Sequence, residues 1–426
     1  MMPATDPAAD QAPDGFPGDL LQQPAAARLA YFKAYTVAHP ALRAADEALS
    51  RALREPAGAS LLFLVGPTGV GKTTLRRRLE QRLIAEAWTA LDQDRERLPV
   101  AGLEAVAPDS GTFRWRDYYL RALAALEVPF LGHTLLAVAA AETGTETGGP
   151  VVRPGPPALA RRLPTAELRR ALEEALRRRR PAAFLIDEAH HLARLASGRK
   201  LRDQLDCLKS LAALTDTVHV LIGTYELLVF RDLSAQLCRR SVDIHLPRYR
   251  ADSADSADER RAFQSALWAF QRHLPLATEP DLLGSWEYCY ERSLGCIGIL
   301  KDWLTRCLAA ILDDDRAAWS MTHLQRTALT AAQCTRMAAE AREGEAQWAD
   351  RDGNPARLRT ILGLAAATGS DPEAAPGSDD SGPVAADSSG RPATAPSRSP
   401  SRRRVGERRP TRDRVGVPEG MPAHGS

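Results

Sequence analysis

The stretches GPTGVGKT (residues 66–73) and FLIDEAHH (residues 184–191) decide the fold of this chain. Each follows or contains a short apolar run of the length of a buried strand, and the amphipathic TLRRRLEQRLI follows the first. Glycines at 66, 69 and 71 let backbone N–H groups converge on phosphate oxygens, and a helix beginning near Lys72 points its positive end at them. Together the two stretches predict a site for a nucleoside triphosphate.

The predicted roles in this site follow from the chemistry of the side chains. Lys72 is expected to contact the β- and γ-phosphates, Thr73 to offer a hydroxyl to Mg²⁺, and Asp187 to hold the outer shell of the ion. Glu188 is the expected base for the attacking water. ATP and Mg²⁺ are therefore the predicted ligands. The phosphate-binding residues are Gly66, Pro67, Thr68, Gly69, Val70, Gly71, Lys72, Thr73 and Thr74.

Each motif also has a simpler interpretation. A chance glycine-rich turn would give the first, and acidic residues that complement a helix macrodipole would give the second. Their pairing in one chain favours the nucleotide site. His190 and His191 are adjacent and cannot both face one metal ion from a helix, so they are interpreted as structural or phosphate-sensing residues.

Length, charge and cysteine spacing limit the number of compact units, the class of partner and the cellular compartment. The 426 residues allow two or three compact units, and a hydrophobic content of 44% suffices for their cores. A net charge of +2 neither demands nor excludes a nucleic-acid partner. The cysteines lack CxxC spacing, which favours a reducing cytoplasm. The acidic, Pro- and Ala-rich start is not typical of a signal peptide or an anchor, so no membrane contact is expected.

Predicted strands alternate with predicted helices, which is typical of an α/β fold with a parallel sheet covered by helices. The predicted strands are 61–65, 99–106, 183–187, 219–223 and 242–246, and the predicted helices are 73–87, 115–126, 165–179, 201–213 and 234–239. A Gly/Pro-rich break at 143–157 indicates a surface loop. From about residue 255 every apolar pattern is helical, which indicates a separate all-α unit.

These patterns divide the chain into five predicted segments. They are a disordered start (1–20), an N-terminal helical extension (21–57), an α/β nucleotide-binding domain (58–250), a helical domain (251–364) and a disordered basic tail (365–426). The extension contains two short helices divided at His39-Pro40. In the helical domain, Thr322 and Gln325 fit a capping box that opens a helix.

The order of these features resembles an AAA+ ATPase, with a P-loop sheet, an Asp-Glu pair after the third strand and a C-terminal helical lid. The resemblance implies that Thr224 is the first sensor, whose hydroxyl orients the lytic water. It implies that Arg239 or Arg240 is an arginine finger acting on a neighbouring subunit, so that activity requires a homo-oligomer. The alternative for Thr224 is an ordinary threonine in a turn at the end of a strand. The alternative for Arg239 and Arg240 is a solvated helix end favoured by the macrodipole.

Within the AAA+ proteins, the chain resembles the TnsC/TniB type of transposition ATPase, which is related to the Mu B regulator. The resemblance spans roughly residues 16–337, and its most discriminating motifs are GTYELL and GCIGILKDWL. It implies an ATPase that assembles as a ring or filament on double-stranded DNA without sequence preference. It also implies a transposase and target-selection proteins as partners, and a nucleoid-associated location. The other matching motifs are YFKAYTVAHPAL, LVGPTGVGKTTL, FLIDEAHHL, VLIGTYELL and QLCRR.

One departure from the AAA+ pattern concerns the second sensor. Many AAA+ lids carry an arginine near the start of the helix that follows a glycine, and GCIG at residues 295–298 offers none. Lys301 is the nearest cation, and a solvent-facing lysine on an amphipathic helix is its expected state. Weak coupling of the lid to the nucleotide and slow hydrolysis are expected.

Candidate DNA contacts come from basic residues among aromatics. Thr112, Arg114 and Arg116 lie where the resembled family keeps DNA-facing elements, although a solvated helix start explains them equally well. The run at 177–180 is better explained by a helix macrodipole. The tail could hold phosphates or an acidic partner, or act only as a solubilising segment. Its arginines are Arg398, Arg402, Arg403, Arg404, Arg408, Arg409, Arg412 and Arg414.

Two other functions remain open from sequence. A secretion-associated AAA ATPase has similar phosphate-loop and DEAHHL motifs, but such a protein normally carries a membrane or cell-wall-binding segment. A nucleotide-dependent signalling switch without DNA binding would retain its nucleotide and show no turnover.

Overall fold

The computed structural model describes residues 15–107, 113–127, 163–193, 199–233, 239–252, 256–313, 318–350 and 355–364. The strands are β1 (Leu61–Val65), β2 (Val100–Glu104), β3 (Ala183–Asp187), β4 (His219–Gly223) and β5 (Ser241–His245). The helices are α1 (Ala25–Ala34), α2 (Pro40–Arg54), α3 (Lys72–Gln93), α4 (Trp115–Ala125), α5 (Thr165–Arg179), α6 (Arg199–Thr215), α7 (Ser256–His273), α8 (Trp286–Ser293), α9 (Ile297–Leu312), α10 (Met321–Thr327), α11 (Ala331–Ala349) and α12 (Pro355–Ile361). Short 3₁₀ helices span Gly18–Gln22, Ala189–Leu192, Tyr225–Leu233 and Leu283–Ser285.

The five strands form one parallel sheet in the order β2-β3-β4-β1-β5. Val65 pairs with Gly223 of β4 and with His245 of β5, while Asp187 pairs with Glu104 of β2. The carboxyl ends of β1, β3 and β4 therefore lie at one edge, where parallel α/β sheets bind their ligands. The predicted α/β fold with a parallel sheet is confirmed.

Both faces of the sheet are covered, which explains why β1, β3 and β4 read as continuous apolar runs. Alternate residues of β1 point to opposite faces. Leu61 and Phe63 pack in a core with α4, α5 and α6, while Leu62 and Leu64 pack in a second core with α2 and α3.

The C-terminal helical region has its own core. Trp303 of α9 is fully buried among residues of α7, α8 and α10, and its indole N–H donates to the Leu324 carbonyl at 3.0 Å. This confirms that the chain is helical beyond β5.

The predicted capping box at Thr322 and Gln325 is wrong. Ser320 caps α10, and the box is formed by Thr330 and Gln333 at the start of α11. The one helix that this box would open over HLQRTALTAAQCTRM (residues 323–337) is in fact two, separated after Thr327. The pattern Thr-x-x-Gln occurs twice within a few residues, and only the second coincides with extended backbone at its threonine.

The two helices of the N-terminal extension pack on different cores. Phe32 of α1 is fully buried in the core of the helical region, whereas Leu42 and Leu49 of α2 belong to the core beneath the sheet. Residues 35–39, here called the connector, join them. The N-terminal segment therefore spans from the helical region to the α/β core.

Other predicted elements differ at their ends or lie outside the described residues. The start is ordered earlier than expected, because Gly18–Gln22 is helical and Leu20 is buried. The helix predicted at 73–87 continues to Gln93. The segments 143–157, 234–238 and 365–426 lie outside the described residues. Among the helices that are described, none combines the length and apolar character needed to cross a bilayer.

Candidate active site

The loop between β1 and α3 makes a backbone cradle at the sheet edge. The Gly66 N–H donates to the Gly223 carbonyl at 3.4 Å, and a Cβ at Gly66 would collide with the Leu246 carbonyl. Gly69 and Gly71 have φ of 74° and 113°, which favour glycine. Because Gly71 ends the loop in this conformation, α3 starts at Lys72 with its first N–H groups facing the cradle.

Lys72 is a desolvated cation held inside this cradle. Its Nζ donates to the carbonyls of Gly66 at 3.0 Å and Pro67 at 2.9 Å. Burial lowers the pKa of Lys72 to about 8, and the nearby carboxylates of Glu188 and Asp187 oppose this shift. A phosphate group would supply the counter-charge that loop carbonyls give only partially.

Asp187 and Glu188 lie at the end of β3. Asp187 is buried, accepts the Glu188 N–H at 2.9 Å and lies 3.6 Å from the Arg76 guanidinium of α3. Glu188 has a left-handed backbone, with φ of 50°, which turns the chain sharply after the strand. The two adjacent carboxylates therefore have different surroundings, one buried and ion-paired, the other 38% exposed.

A cleft of about 620 Å³ brings Glu188 and Thr224 together with the phosphate loop. Thr224 follows β4, and its Oγ1 is buried without a hydrogen-bond partner among the described residues. Such an orphaned hydroxyl suits a ligand oxygen or a bound water. Pro67 and Thr68 of the loop line the same cleft.

Part of the lining of this cleft comes from α11, which sequence reasoning missed. Glu340, Glu343 and Gln347 line the cleft together with Glu188. A buried ion pair holds α11 in place, in which Arg248 donates to the Glu345 carboxylate at 2.7 and 3.0 Å. No local pattern could reveal this contact, because it depends on the path of the chain after β5.

A second cleft of about 390 Å³ lies on the other side of the loop and was also missed. It is lined by Val70, Gly71 and Thr74, by Thr36 and His39 of the connector region, and by Gly298 and Lys301 of α9. The two clefts thus flank the phosphate loop.

The prediction that Lys301 faces solvent is wrong. Its Nζ lies 3.6 Å from the Phe32 ring centroid and donates to the Phe32 carbonyl at the end of α1. Burial lowers the pKa of Lys301 to about 7. The ring of Phe270 lies 5.5 Å away, so Lys301 ties α9 to α1 within an aromatic cage.

The absence of a second-sensor arginine has a steric explanation. The Ile299 N–H donates to the Gly69 carbonyl at 3.0 Å, and a Cβ at Gly298 would collide with that carbonyl. The first turn of α9 therefore touches the phosphate loop through backbone, where a side chain at residue 298 has no room.

The remaining candidates lie apart from the cleft. Arg239 and Arg240 have exposed side chains just before β5, and the Arg240 carbonyl accepts the Ser60 N–H at 2.9 Å. Arg114 is exposed at the start of α4, whereas Arg116 donates to the Leu163 carbonyl. Thr112 and the tail arginines lie outside the described residues.

The residues present fit a nucleoside triphosphate with Mg²⁺. The cradle offers N–H groups and a buried lysine to phosphates. The Thr73 hydroxyl and the Asp187 carboxylate are the hard oxygen donors that Mg²⁺ prefers.

Comparison with known proteins agrees with this geometry. Residues 54–229 match the family model described as AAA domain. No curated protein matches the chain significantly.

Several solved structures are similar. A Walker-type ATPase of Pyrococcus abyssi is 16% identical, with 72% of this chain and 75% of that chain covered and a TM-score of 0.40. The Aeropyrum pernix ORC2 protein in its ADP form is 15% identical, with 70% of this chain and 71% of that chain covered and a TM-score of 0.42. The Aeropyrum pernix ORC1 protein in complex with DNA is 21% identical, with 70% of this chain and 67% of that chain covered and a TM-score of 0.41.

Proposed function

We propose that this chain is an ATP hydrolase that assembles with further copies of itself on duplex DNA and passes a target site to a transposase. The observation that carries the enzymatic part is the cleft that unites the phosphate loop, Glu188 and the orphaned Thr224 hydroxyl. The DNA and transposase part rests on GTYELL and GCIGILKDWL, the motifs that resemble the TnsC/TniB type. Such a role implies a location on the nucleoid in the cytoplasm.

In this proposal the phosphates lie along the cradle between β1 and α3. Lys72 would exchange its loop carbonyls for the β- and γ-phosphates, and Thr73 and Asp187 would hold Mg²⁺. When bound, Mg²⁺ neutralises charge on the phosphate oxygens. Glu188 accepts a proton from the attacking water, and the Thr224 hydroxyl orients that water.

The base and ribose would occupy the second cleft. Its lining includes Thr36 and His39 of the connector region and Gly298 and Lys301 of α9. A nucleotide would thus touch the loop, the connector and α9 together. Binding would then favour one arrangement of the helical region relative to the sheet.

Arg239 and Arg240 are the proposed trans-acting arginines. Both side chains are exposed on the surface, as a contact with a neighbouring copy requires. A guanidinium delivered to the γ-phosphate would stabilise transition-state charge, so turnover would depend on assembly.

Duplex binding tests the proposal. We expect affinity for an arbitrary duplex with a non-hydrolysable ATP analogue, none with ADP, and a steep fall with salt, because phosphate contacts release counterions. Fluorescence anisotropy across a salt series measures this. Lys72→Ala should bind neither the analogue nor DNA, because it removes the buried cation of the loop.

The DNA contact itself is tested at Arg114. Arg114→Ala should weaken binding to all sequences alike and leave nucleotide affinity unchanged. Arg261→Ala on α7, whose side chain is also highly exposed, is the matched control and should change neither.

A protein that binds nucleotide but ignores DNA in every nucleotide state would exclude the transposition role. It would then favour a secretion-associated ATPase if nucleotide turns over, or a signalling switch if nucleotide is retained.

A further inference from the structure

Arg76 places a positive charge beside the carboxylate that the proposed function assigns to Mg²⁺. Its Nη1 lies 3.6 Å from Asp187 Oδ2, which is an ion pair too long for a hydrogen bond. A guanidinium is not deprotonated in proteins, so this attraction depends on no protonation state of Arg76. We infer that Arg76 competes with Mg²⁺ for the Asp187 carboxylate and thereby lowers the affinity of the nucleotide complex for the ion. The inference rests on the proposed role of Asp187.

The geometry of α3 brings Arg76 to the proposed metal site. Thr73 and Arg76 both belong to the first turns of this helix, and side chains at this spacing are neighbours on one face. Thr73 is exposed and is the other proposed ligand of Mg²⁺. The same helix face therefore carries one proposed ligand of the ion and the cation that pairs with the other ligand.

The ion pair lies where water screens charge poorly. The side chain of Asp187 is 8% exposed and that of Arg76 is 22% exposed. Asp187 Oδ1 accepts the Glu188 N–H at 2.9 Å, so Oδ2 is the oxygen that Arg76 approaches. Charges interact more strongly in such surroundings than in water. Part of the negative charge that Asp187 could offer to a metal ion is therefore balanced by the protein itself.

The neighbouring charges limit this competition without removing it. Arg76 Nε lies 3.4 Å from Glu80 Oε1, one turn further along α3, so the guanidinium is shared between two carboxylates. On the other side of the site, the Lys72 ammonium interacts electrostatically with Asp187 and Glu188. The two cations together offset the charges of these carboxylates. The phosphates of the nucleotide then supply most of the attraction for Mg²⁺.

The experiment measures how strongly Mg²⁺ and nucleotide binding are coupled. The Kd of a fluorescent, non-hydrolysable ATP analogue is determined for the full chain in EDTA and again in saturating Mg²⁺. The affinity of the free analogue for Mg²⁺ is the same for every variant. By linkage, a change in the ratio of the two Kd values therefore equals the change in Mg²⁺ affinity of the protein–analogue complex.

Three substitutions test the role of the charge. Arg76→Met removes it and should tighten analogue binding about tenfold in Mg²⁺. In EDTA the Kd of this variant should stay within about twofold of the parent, because the competition concerns only the ion. Arg76→Lys keeps the charge and should stay within about threefold of the parent in both conditions.

Arg82→Met is the matched control. Arg82 lies on the same helix and pairs with Asp46 at 2.6 Å, about 15 Å further along the helix axis than Lys72. The substitution removes the same charge and a comparable ion pair, and both Kd values should stay within about twofold of the parent, since solvent and salt screen charges at this distance. An Arg82→Met effect as large as that of Arg76→Met would overturn the inference.

Other outcomes overturn the inference as well. Thermal unfolding in EDTA first shows that each variant is folded. Unchanged or weaker binding of the analogue to Arg76→Met in Mg²⁺ would mean that the guanidinium orients Asp187 or plays no part. A large loss of affinity in EDTA would make Arg76 a phosphate ligand. Tightening by Arg76→Lys equal to that by Arg76→Met would show that charge is not the cause.

Asp187→Asn separates this inference from the proposed function. If Asp187 holds Mg²⁺, the asparagine variant should lose much of the gain in analogue affinity that Mg²⁺ provides. An unchanged ratio of Kd values would mean that the proposed role of Asp187 fails. If Asp187→Asn has the expected effect while Arg76→Met matches the parent, only the competition fails. In the Asp187→Asn background Arg76→Met should no longer tighten binding, and equal tightening in both backgrounds would overturn the inference.

Discussion

His219 is a titratable residue at the centre of the sheet. It lies fully buried in β4, its Nδ1 hydrogen-bonds the Thr217 carbonyl at 2.9 Å, and its Nε2 has no hydrogen-bond partner among the described residues. Burial lowers the pKa of His219 to about 4. In an unfolded chain the pKa of histidine is about 6.5, so the unfolded state binds more protons between these two values. The free energy of unfolding therefore falls as pH drops from about 6.5 towards 4.

We expect acidification from pH 7 to pH 5 to lower the free energy of unfolding by about 2 kcal/mol through His219 alone. Denaturant titrations at several pH values measure the slope. His219→Leu should flatten it, since leucine has no proton to take up. His39, whose pKa burial also lowers to about 4, should sustain the remaining slope. An identical pH dependence in His219→Leu and parent would contradict this account.

At the same scale, the sequence predicted that Lys72, Asp187 and Glu188 lie together, but not what surrounds them. The proximity was predictable because their motifs adjoin strand-like runs and parallel strands place their carboxyl ends together. Lys301 was misjudged because its partners lie on α1, far away in the chain. Periodicity reports which face of a helix is polar, and it cannot report what packs against that face.

Helix α11 depends on a cap that the sequence pattern places ambiguously. The Thr330 hydroxyl accepts the Gln333 N–H, and the Gln333 side chain returns to the Thr330 N–H at 2.9 Å. Thr322, in the matching Thr-x-x-Gln pattern, is exposed within α10. We expect Thr330→Ala to lower the free energy of unfolding by about 1 kcal/mol and Thr322→Ala to change it little. Equal losses measured by urea denaturation would contradict the placement of the cap.

Strand positions were more predictable than helix ends. Predicted and observed bounds coincide for β1, β3 and β4, because strands buried on both faces must be apolar throughout. Helix α3 extends past its predicted end because its last turns carry good helix formers without an apolar stripe to mark them. The spacing of apolar residues does not indicate helical turns that are exposed to solvent on all sides.

Across the whole molecule, the pair Arg248 and Glu345 joins the end of the sheet to α11. Both side chains are about 10% exposed, and Arg248 also donates to the Leu294 carbonyl at 3.3 Å. Neighbouring contacts reinforce this junction, since His245 stacks on Trp348 with ring centroids 4.5 Å apart.

Removing one member of this pair should leave a buried charge without its partner. Glu345→Ala is expected to lower the free energy of unfolding by about 3–5 kcal/mol, because the Arg248 charge loses its partner. Replacing both residues with leucine should cost less than the single change. Arg336→Ala on the same helix, with a side chain 85% exposed, should cost less than about 1 kcal/mol. Guanidinium unfolding compares them, and a Glu345→Ala loss no larger than that of Arg336→Ala would contradict the role of the pair.

The predicted domain boundaries near residues 57, 250 and 364 remain predictions. Local patterns indicated helices on both sides of the sheet, yet they carried no information on α1 packing against the helical region. That arrangement arises from contacts such as Tyr31 Oη with His273 Nδ1 at 2.7 Å, which join residues far apart in the chain.

The connector of residues 35–39 sets a limit on travel. Phe32 is buried in the core of the helical region, and Leu42 is buried in the core beneath the sheet. While both stay buried, the backbone between α1 and α2 limits the distance between the helical region and the sheet. An extended chain advances by about 3.3–3.6 Å per residue, so the fully extended connector spans about 20 Å at most. The helical region therefore cannot separate from the sheet by more than this distance unless α1 or α2 leaves its core.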